Sequence, residues 1–154
     1  GIRNDMITLY TIGFTQKSAK EFFELLIKNQ VNKIVDIRIN NTSQLAGFAK
    51  GKDLAYLASA IADIGYIHIT DFAPTKELLS DYQKGDVSWQ EYIKIYRRLL
   101  DERKVTTKYN IKNYNQACFL CSETTPEQCH RRLLAEYFKE KCPEEDIKII
   151  HLVK

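Results

Sequence analysis

Short apolar runs alternate with stretches of helical spacing along the whole chain. Residues 7–12 (ITLYTI) and 33–39 (KIVDIRI) are rich in β-branched residues and predict strands. Between them, SAKEFFELLIKNQ predicts a helix opened by a capping-box pair, Ser18 and Glu21. KDLAYLASAIADIG places apolar residues at Leu54, Leu57, Ala58, Ile61 and Ile64, the spacing of one helix face, and Gly65 fits a C-terminal cap. GYIHIT predicts a short third strand. PTKELLSDYQKG and SWQEYIKIYRRLLDERK predict helices, the second opened by Ser88 and Glu91. A polar stretch, TTKYNIKNYNQ, leads to ACFLC (117–121), a fourth strand. TPEQCHRRLLAEYFKEKC then predicts a helix capped by Thr125 with Pro126 at its first position. DIKIIHLV predicts the last strand.

Strands alternating with helices imply an α/β fold: a single-domain three-layer sandwich over residues 6–154, with a mostly parallel sheet of about five strands. Residues 1–5 precede Met6 and are read as a native extension or an appended remnant. In such sheets, ligands bind outside the carboxyl ends of the strands. The residues just past each predicted strand are Thr11, Gly13 and Phe14, then Asp36 and Arg38, then His68 and Asp71, then Cys121 and Glu123. Their chemistry is expected to collect at one edge of the sheet.

Composition narrows the classes. With 154 residues the chain can bury a core without needing disulfides or a metal. A net charge of +3, from 23 Lys and Arg against 20 Asp and Glu, is too mild to imply a nucleic-acid partner by itself. No apolar run approaches the roughly 20 residues of a membrane helix, and no secretory signal is read, so no membrane partner and a cytoplasmic location are expected. Four cysteines in that reducing setting suggest free thiols, metal ligands or catalytic roles rather than structural disulfides.

Residues 118–132, CFLCSETTPEQCHRR, concentrate the reactive side chains. Cys118 and Cys121 have CxxC spacing, but they fall inside a strand, where positions three apart face opposite sides. Adjacent Cys129 and His130 on a helix would diverge by about 100°. A zinc knuckle is therefore disfavoured, although a disulfide between Cys121 and Cys129 is sterically feasible. Cys121 at a strand end, facing the amino end of the next helix, suits a thiolate or a bound anion. A tyrosine-phosphatase loop is excluded, because its arginine position, counted from Cys121, is Glu127. The plain alternative is packing. Cysteines bury as small hydrophobes, His130 is in register with Leu133, Leu134, Tyr137 and Phe138, and Arg131 and Arg132 could be solvated. Cys118 is read as core and Cys142 as incidental. Trp89, Tyr92 and Tyr96, at helical spacing, are read as core, with a dimer contact as the other option; the oligomeric state stays open.

LCSETTPEQCHR resembles the signature of the bacterial and archaeal family known as domain of unknown function 488: Leu-Cys, a small residue, Glu, a spacer, then Cys-His-Arg. TIGFTQKSAKEFFELL is similar to that family's opening strand, glycine and first helix. IVDIRINNTSQLAGF is similar to its Asp-x-Arg strand end. FAPTKELLSDYQKGDVSWQEYIKIYRRLL is similar to the central region of one subgroup. After Asp36-Ile-Arg38 this chain has Ile-Asn-Asn-Thr-Ser where the family often has Pro-x-Ser. The resemblance implies a site of Asp36, Arg38, Cys121, Glu123, Cys129, His130 and Arg131, and assigns no activity.

The leading expectation is a small enzyme acting on an anionic substrate: a nucleotide, a nucleic-acid end or another phosphorylated molecule. Cys121, Glu123, His130 and Asp36 are the candidate catalytic residues. Arg38, Arg131, Cys129, Gly13 and Phe14 are the candidate substrate contacts. No cofactor and no metal are assigned. One alternative is a nucleic-acid or ligand-binding module, in which Lys104, Lys108 and Lys112 meet phosphates while Tyr109 and Tyr114 stack on bases; an exposed polar loop is the plainer reading of that stretch. The other alternative is a metal site of Cys121, Cys129 and His130.

Overall fold

Five strands form one sheet in the order β3-β2-β4-β1-β5, and every neighbouring pair is parallel. The computed structural model describes residues 6–42, 47–122 and 127–154. The strands are β1 (Ile7–Gly13), β2 (Lys33–Asp36), β3 (Gly65–His68), β4 (Ala117–Cys121) and β5 (Ile147–Leu152). The helices are α1 (Ala19–Lys28), α2 (Gly51–Ala62), α3 (Lys76–Lys84), α4 (Trp89–Glu102), the short α5 (Val105–Lys108) and α6 (His130–Lys141).

Parallel neighbours need crossover connections, and these are right-handed. The chain steps from β1 to β2 to β3 in one direction and returns through β4 to β5 in the other. The helices of the outward and return paths must therefore lie on opposite faces. They do: Phe22, Phe23 and Leu26 of α1 and Leu54 and Ala58 of α2 share one core with Ile12, Ile34 and Leu120. Leu78 of α3, Tyr92, Tyr96 and Leu100 of α4, and Leu133, Leu134 and Phe138 of α6 share the other with Leu9, Val35 and Phe119. The result is the three-layer α/β sandwich expected from the alternation.

This path also fixes where a ligand can bind. β4 lies between β1 and β2. The chain leaves β1 and β2 toward one face and leaves β4 toward the other. The loops part at the carboxyl end of β4, which opens the crevice typical of reversed strand order. Cys121 is the last residue of β4.

Both capping boxes form: Ser18 and Glu21 at α1, Ser88 and Glu91 at α4. Four boundaries differ from expectation. β2 stops at Asp36 rather than residue 39, because the Asp36 carboxylate accepts the Arg38 N–H at 3.1 Å and turns the chain out of the ladder. α2 ends at Asp63, which takes the left-handed conformation (φ 54°) assigned in advance to Gly65; Gly65 opens β3 instead. The polar stretch before β4 contains helical turns, α5 and Ile111–Tyr114. α6 begins at His130, not near residue 125; Thr125 and Pro126 lie outside the described residues.

Phe119 is the centre of the second core, packed against Phe72 and Phe138. Phe119→Ala should cost about 3–5 kcal/mol, read from urea unfolding midpoints. A loss under about 1 kcal/mol would show that this core collapses around the deletion.

Candidate functional site

Three residues at the end of β2 tie the site together. Asp36 is fully buried, and its two carboxylate oxygens accept Nε and Nη2 of Arg38 at 2.9 and 2.7 Å. The Tyr66 hydroxyl of β3 donates to the same carboxylate at 2.5 Å. Burial, and then this bond to Asp36, pushes the Tyr66 hydroxyl up to about 12, so it stays a donor. Arg38 Nη2 also donates to the Ala49 carbonyl ahead of α2 at 2.7 Å. The guanidinium lies over the Phe14 ring, 5.1 Å from its centroid. Its remaining nitrogen, Nη1, is buried with no hydrogen-bond partner among the described residues. His68 Nε2 meets the Arg38 carbonyl at 2.6 Å, which fixes the backbone here.

Ile37 connects this group to α6. His130 Nε2 lies 2.8 Å from the Ile37 carbonyl. A carbonyl only accepts, so Nε2 carries the proton, and in the neutral ring Nδ1 is left as an acceptor. Burial lowers the His130 pKa to about 4 against an upward pull from the Ile37 carbonyl; the Arg131 charge adds a lesser lowering and Asp36 a lesser raising effect. The ring is therefore neutral near pH 7.

Cys121 and Cys129 face each other across the crevice. Their sulfurs are joined in the structure, and their Cα atoms stand 7.6 Å apart. Cys129 is the N-cap residue of α6, with extended backbone, so its thiol sits where the helix dipole favours negative charge. Arg131 is wholly buried, and its Nη1 donates to Cys121 Sγ at 3.3 Å. Burial first, then the Arg131 charge, also lowers the pKa of Lys17 and His151. Cys118 belongs to the opposite core, as strand alternation required, and burial raises its thiol pKa strongly.

These groups open into one cavity of about 220 Å³. Arg38, Cys121, Cys129 and His130 line its base, and Tyr82, Trp89 and Tyr92 line its wall. Of the anticipated residues, Arg131 reaches Cys121 from behind, while Gly13 pairs beside it in the sheet. Phe14 supports Arg38 from below. None of these three lines the cavity. Glu123 lies outside the described residues.

The expected divergence of Cys129 and His130 does not occur, because Cys129 precedes the helix. One donor atom each from Cys121, Cys129 and His130 lies within 4.8 Å of the others, a group able to hold a metal ion. Trp89 packs against the second core, as its helical spacing predicts, and also lines the cavity, as does Tyr82, which nothing in the sequence of α3 marks for that place. Tyr92 and Tyr96 are core, as expected. In the polar stretch, Tyr109 donates to Asp71, Lys108 pairs with Asp71, Lys112 pairs with Glu145, and Tyr114 lies under Lys33.

A family model described as Domain of unknown function DUF488 matches residues 18–138. No curated protein and no solved structure matches significantly. The matched span holds Asp36, Arg38 and the whole segment from Cys121 to Arg131, while Gly13 and Phe14 precede it.

Asp36→Asn would leave a buried guanidinium without its counter-charge and should destabilise the protein by about 3–5 kcal/mol, measured by denaturant unfolding. A second prediction concerns pH. His130 binds fewer protons folded than unfolded, since its folded pKa of about 4 lies below the ordinary 6.5. Its contribution is therefore complete above about pH 6.5 and is lost as pH falls toward about 4. Melting temperatures of metal-stripped protein across that window should fall more steeply for wild type than for His130→Asn. Parallel curves would refute the assignment.

Proposed function

The chain belongs to the Domain of unknown function DUF488 family, and from its own site we propose that the protein is a small thiol-dependent enzyme acting on an anionic, phosphorylated substrate. The observation that carries this reading is the buried Arg131 guanidinium donating to Cys121 Sγ at the base of the cavity. A cation held there lowers the cost of ionising the thiol, and the amino end of α6 adds to the effect. In the reduced protein, Cys121 attacks the electrophilic centre of the bound substrate. The leaving group departs with the bonding electron pair and takes a proton from Glu123 or a water held by His130 Nδ1. Asp36 has both oxygens engaged by Arg38 and Tyr66. It is therefore a positioning residue that holds Arg38 toward the substrate anion rather than a proton carrier.

A second reading has its own support in the 4.8 Å grouping of Cys121, Cys129 and His130 donor atoms. Three protein ligands with a cavity beyond them is the pattern of a catalytic zinc site.

One experiment separates the two. Each cysteine of reduced protein is alkylated with iodoacetamide across a pH series, with and without chelator, and read by peptide mass spectrometry. The thiolate reading expects Cys121 to react with a midpoint below its reference value of about 8.5, and expects Arg131→Met to raise that midpoint by about one unit. Cys118 should stay inert in both proteins. A Cys121 midpoint at or above the reference, unchanged in Arg131→Met, would sink the nucleophile assignment. Protection of Cys121 and Cys129 that only chelator removes would establish the metal site in its place.

A further inference from the structure

The cavity is lined by two chemically different sets of residues. Tyr82, Trp89 and Tyr92 form a mutually touching cluster along one wall, with ring centroids 5.0, 5.2 and 5.5 Å apart. Trp89 and Tyr82 are only partly buried, so the cluster keeps aromatic surface on the cavity side. Arg38 also lines the cavity; its side chain is 4% exposed and its Nη1 has no partner among the described residues. A buried guanidinium N–H left without an acceptor costs free energy unless a ligand or water supplies one. Asp36 already balances the charge of Arg38, so what this nitrogen offers a ligand is a directed donor rather than net charge. Asn40, Gln83 and Gln128 are also in the lining; the Asn40 and Gln128 amide oxygens already accept from Thr42 and Tyr82, which leaves their amide N–H groups as donors.

The geometry points to a nucleoside monophosphate as the ligand of this cavity, its base against Trp89 and Tyr82 and its phosphate on Arg38. Each set of residues accounts for one part of that molecule. Aromatic rings stack on the faces of any base. Amide N–H groups match the acceptors on the edges of bases. The guanidinium takes phosphate oxygens. A ligand lacking the ring would leave the aromatic wall wet, and one lacking the phosphate would leave Arg38 Nη1 unpaired. This inference rests on the cavity assigned above but is independent of the reaction at Cys121.

Trp89 is the only tryptophan, so its fluorescence reports the wall directly. Reduced full-length protein would be titrated with the four common ribonucleoside 5′-monophosphates, with ribose 5-phosphate and with adenosine. The expected result is saturable quenching by at least one monophosphate, and binding at least about tenfold weaker for both truncated compounds. Calorimetry should show a loss of roughly 5- to 150-fold for Trp89→Ala, the range for one base–aromatic stack. Arg38→Lys should weaken the monophosphate but not adenosine. Circular dichroism melts would establish that each variant is folded. Should Trp89→Ala fail to fold, the wild-type titration still decides. No saturable change with any monophosphate, or equal affinity for ribose 5-phosphate, would overturn the assignment. Binding without fast Cys121 alkylation would sink the thiol reading alone; fast alkylation without binding would sink this one alone.

Discussion

A guanidinium withdrawn from water must be met by acceptors, and Arg38 is withdrawn almost completely. Much of the carboxyl edge of the sheet is arranged around that requirement. Asp36 supplies two of the acceptors and in doing so ends β2, because the same carboxylate also takes the Arg38 N–H. Tyr66 joins the carboxylate from β3, and Ala49 contributes a carbonyl from the segment before α2. His68 and His130 take the neighbouring carbonyls of Arg38 and Ile37. One buried ion pair thereby connects β2, β3, the approach to α2 and the first residue of α6.

The same arrangement separates two kinds of cation at the site. Arg38 is neutralised by its carboxylate and points a single unused nitrogen outward from that pair. Arg131 donates to the sulfur of Cys121, and after burial, the larger cause, its charge helps lower the pKa of Lys17, His130 and His151. The first is suited to orienting a ligand, the second to favouring a thiolate. A histidine held neutral between them can accept a proton or a hydrogen bond. The division follows from the contact each guanidinium makes: Arg38 meets the Asp36 carboxylate and Arg131 meets the sulfur of Cys121.

Local pattern was enough for much of the fold. The capping boxes at Ser18 and Ser88, the β-branched runs of β1 and β2, and the alternation of strand and helix each depend on neighbours a few residues away, and each forms as read. The placement of Cys118 and Cys121 on opposite faces followed from strand periodicity alone. Boundaries were less legible where a side-chain hydrogen bond, or an unusual backbone conformation, overrode propensity. Asp36 shortened β2, Asp63 took the left-handed turn from Gly65, and the start of α6 at His130 reversed the expected divergence of Cys129 and His130.

The sequence by itself determined the α/β class, the strand ends as the place where Asp36, Arg38 and Cys121 gather, and the crowding of Cys, His and Arg in residues 118–132. Those properties reside in spacing and residue type. Only the tertiary structure decided which arginine serves which partner, that Asp36 is bound rather than poised, and that Trp89 and Tyr82 wall the cavity. The reason is physical. Hydrogen bonds such as that of His130 to the Ile37 carbonyl span 93 residues, and the meeting of α3, α4 and the end of β4 depends on the order in which the strands assemble. Helical spacing shows that Trp89, Tyr92 and Tyr96 share a face; it cannot say that the first of them stands at the rim of a cavity and the last at the bottom of the core.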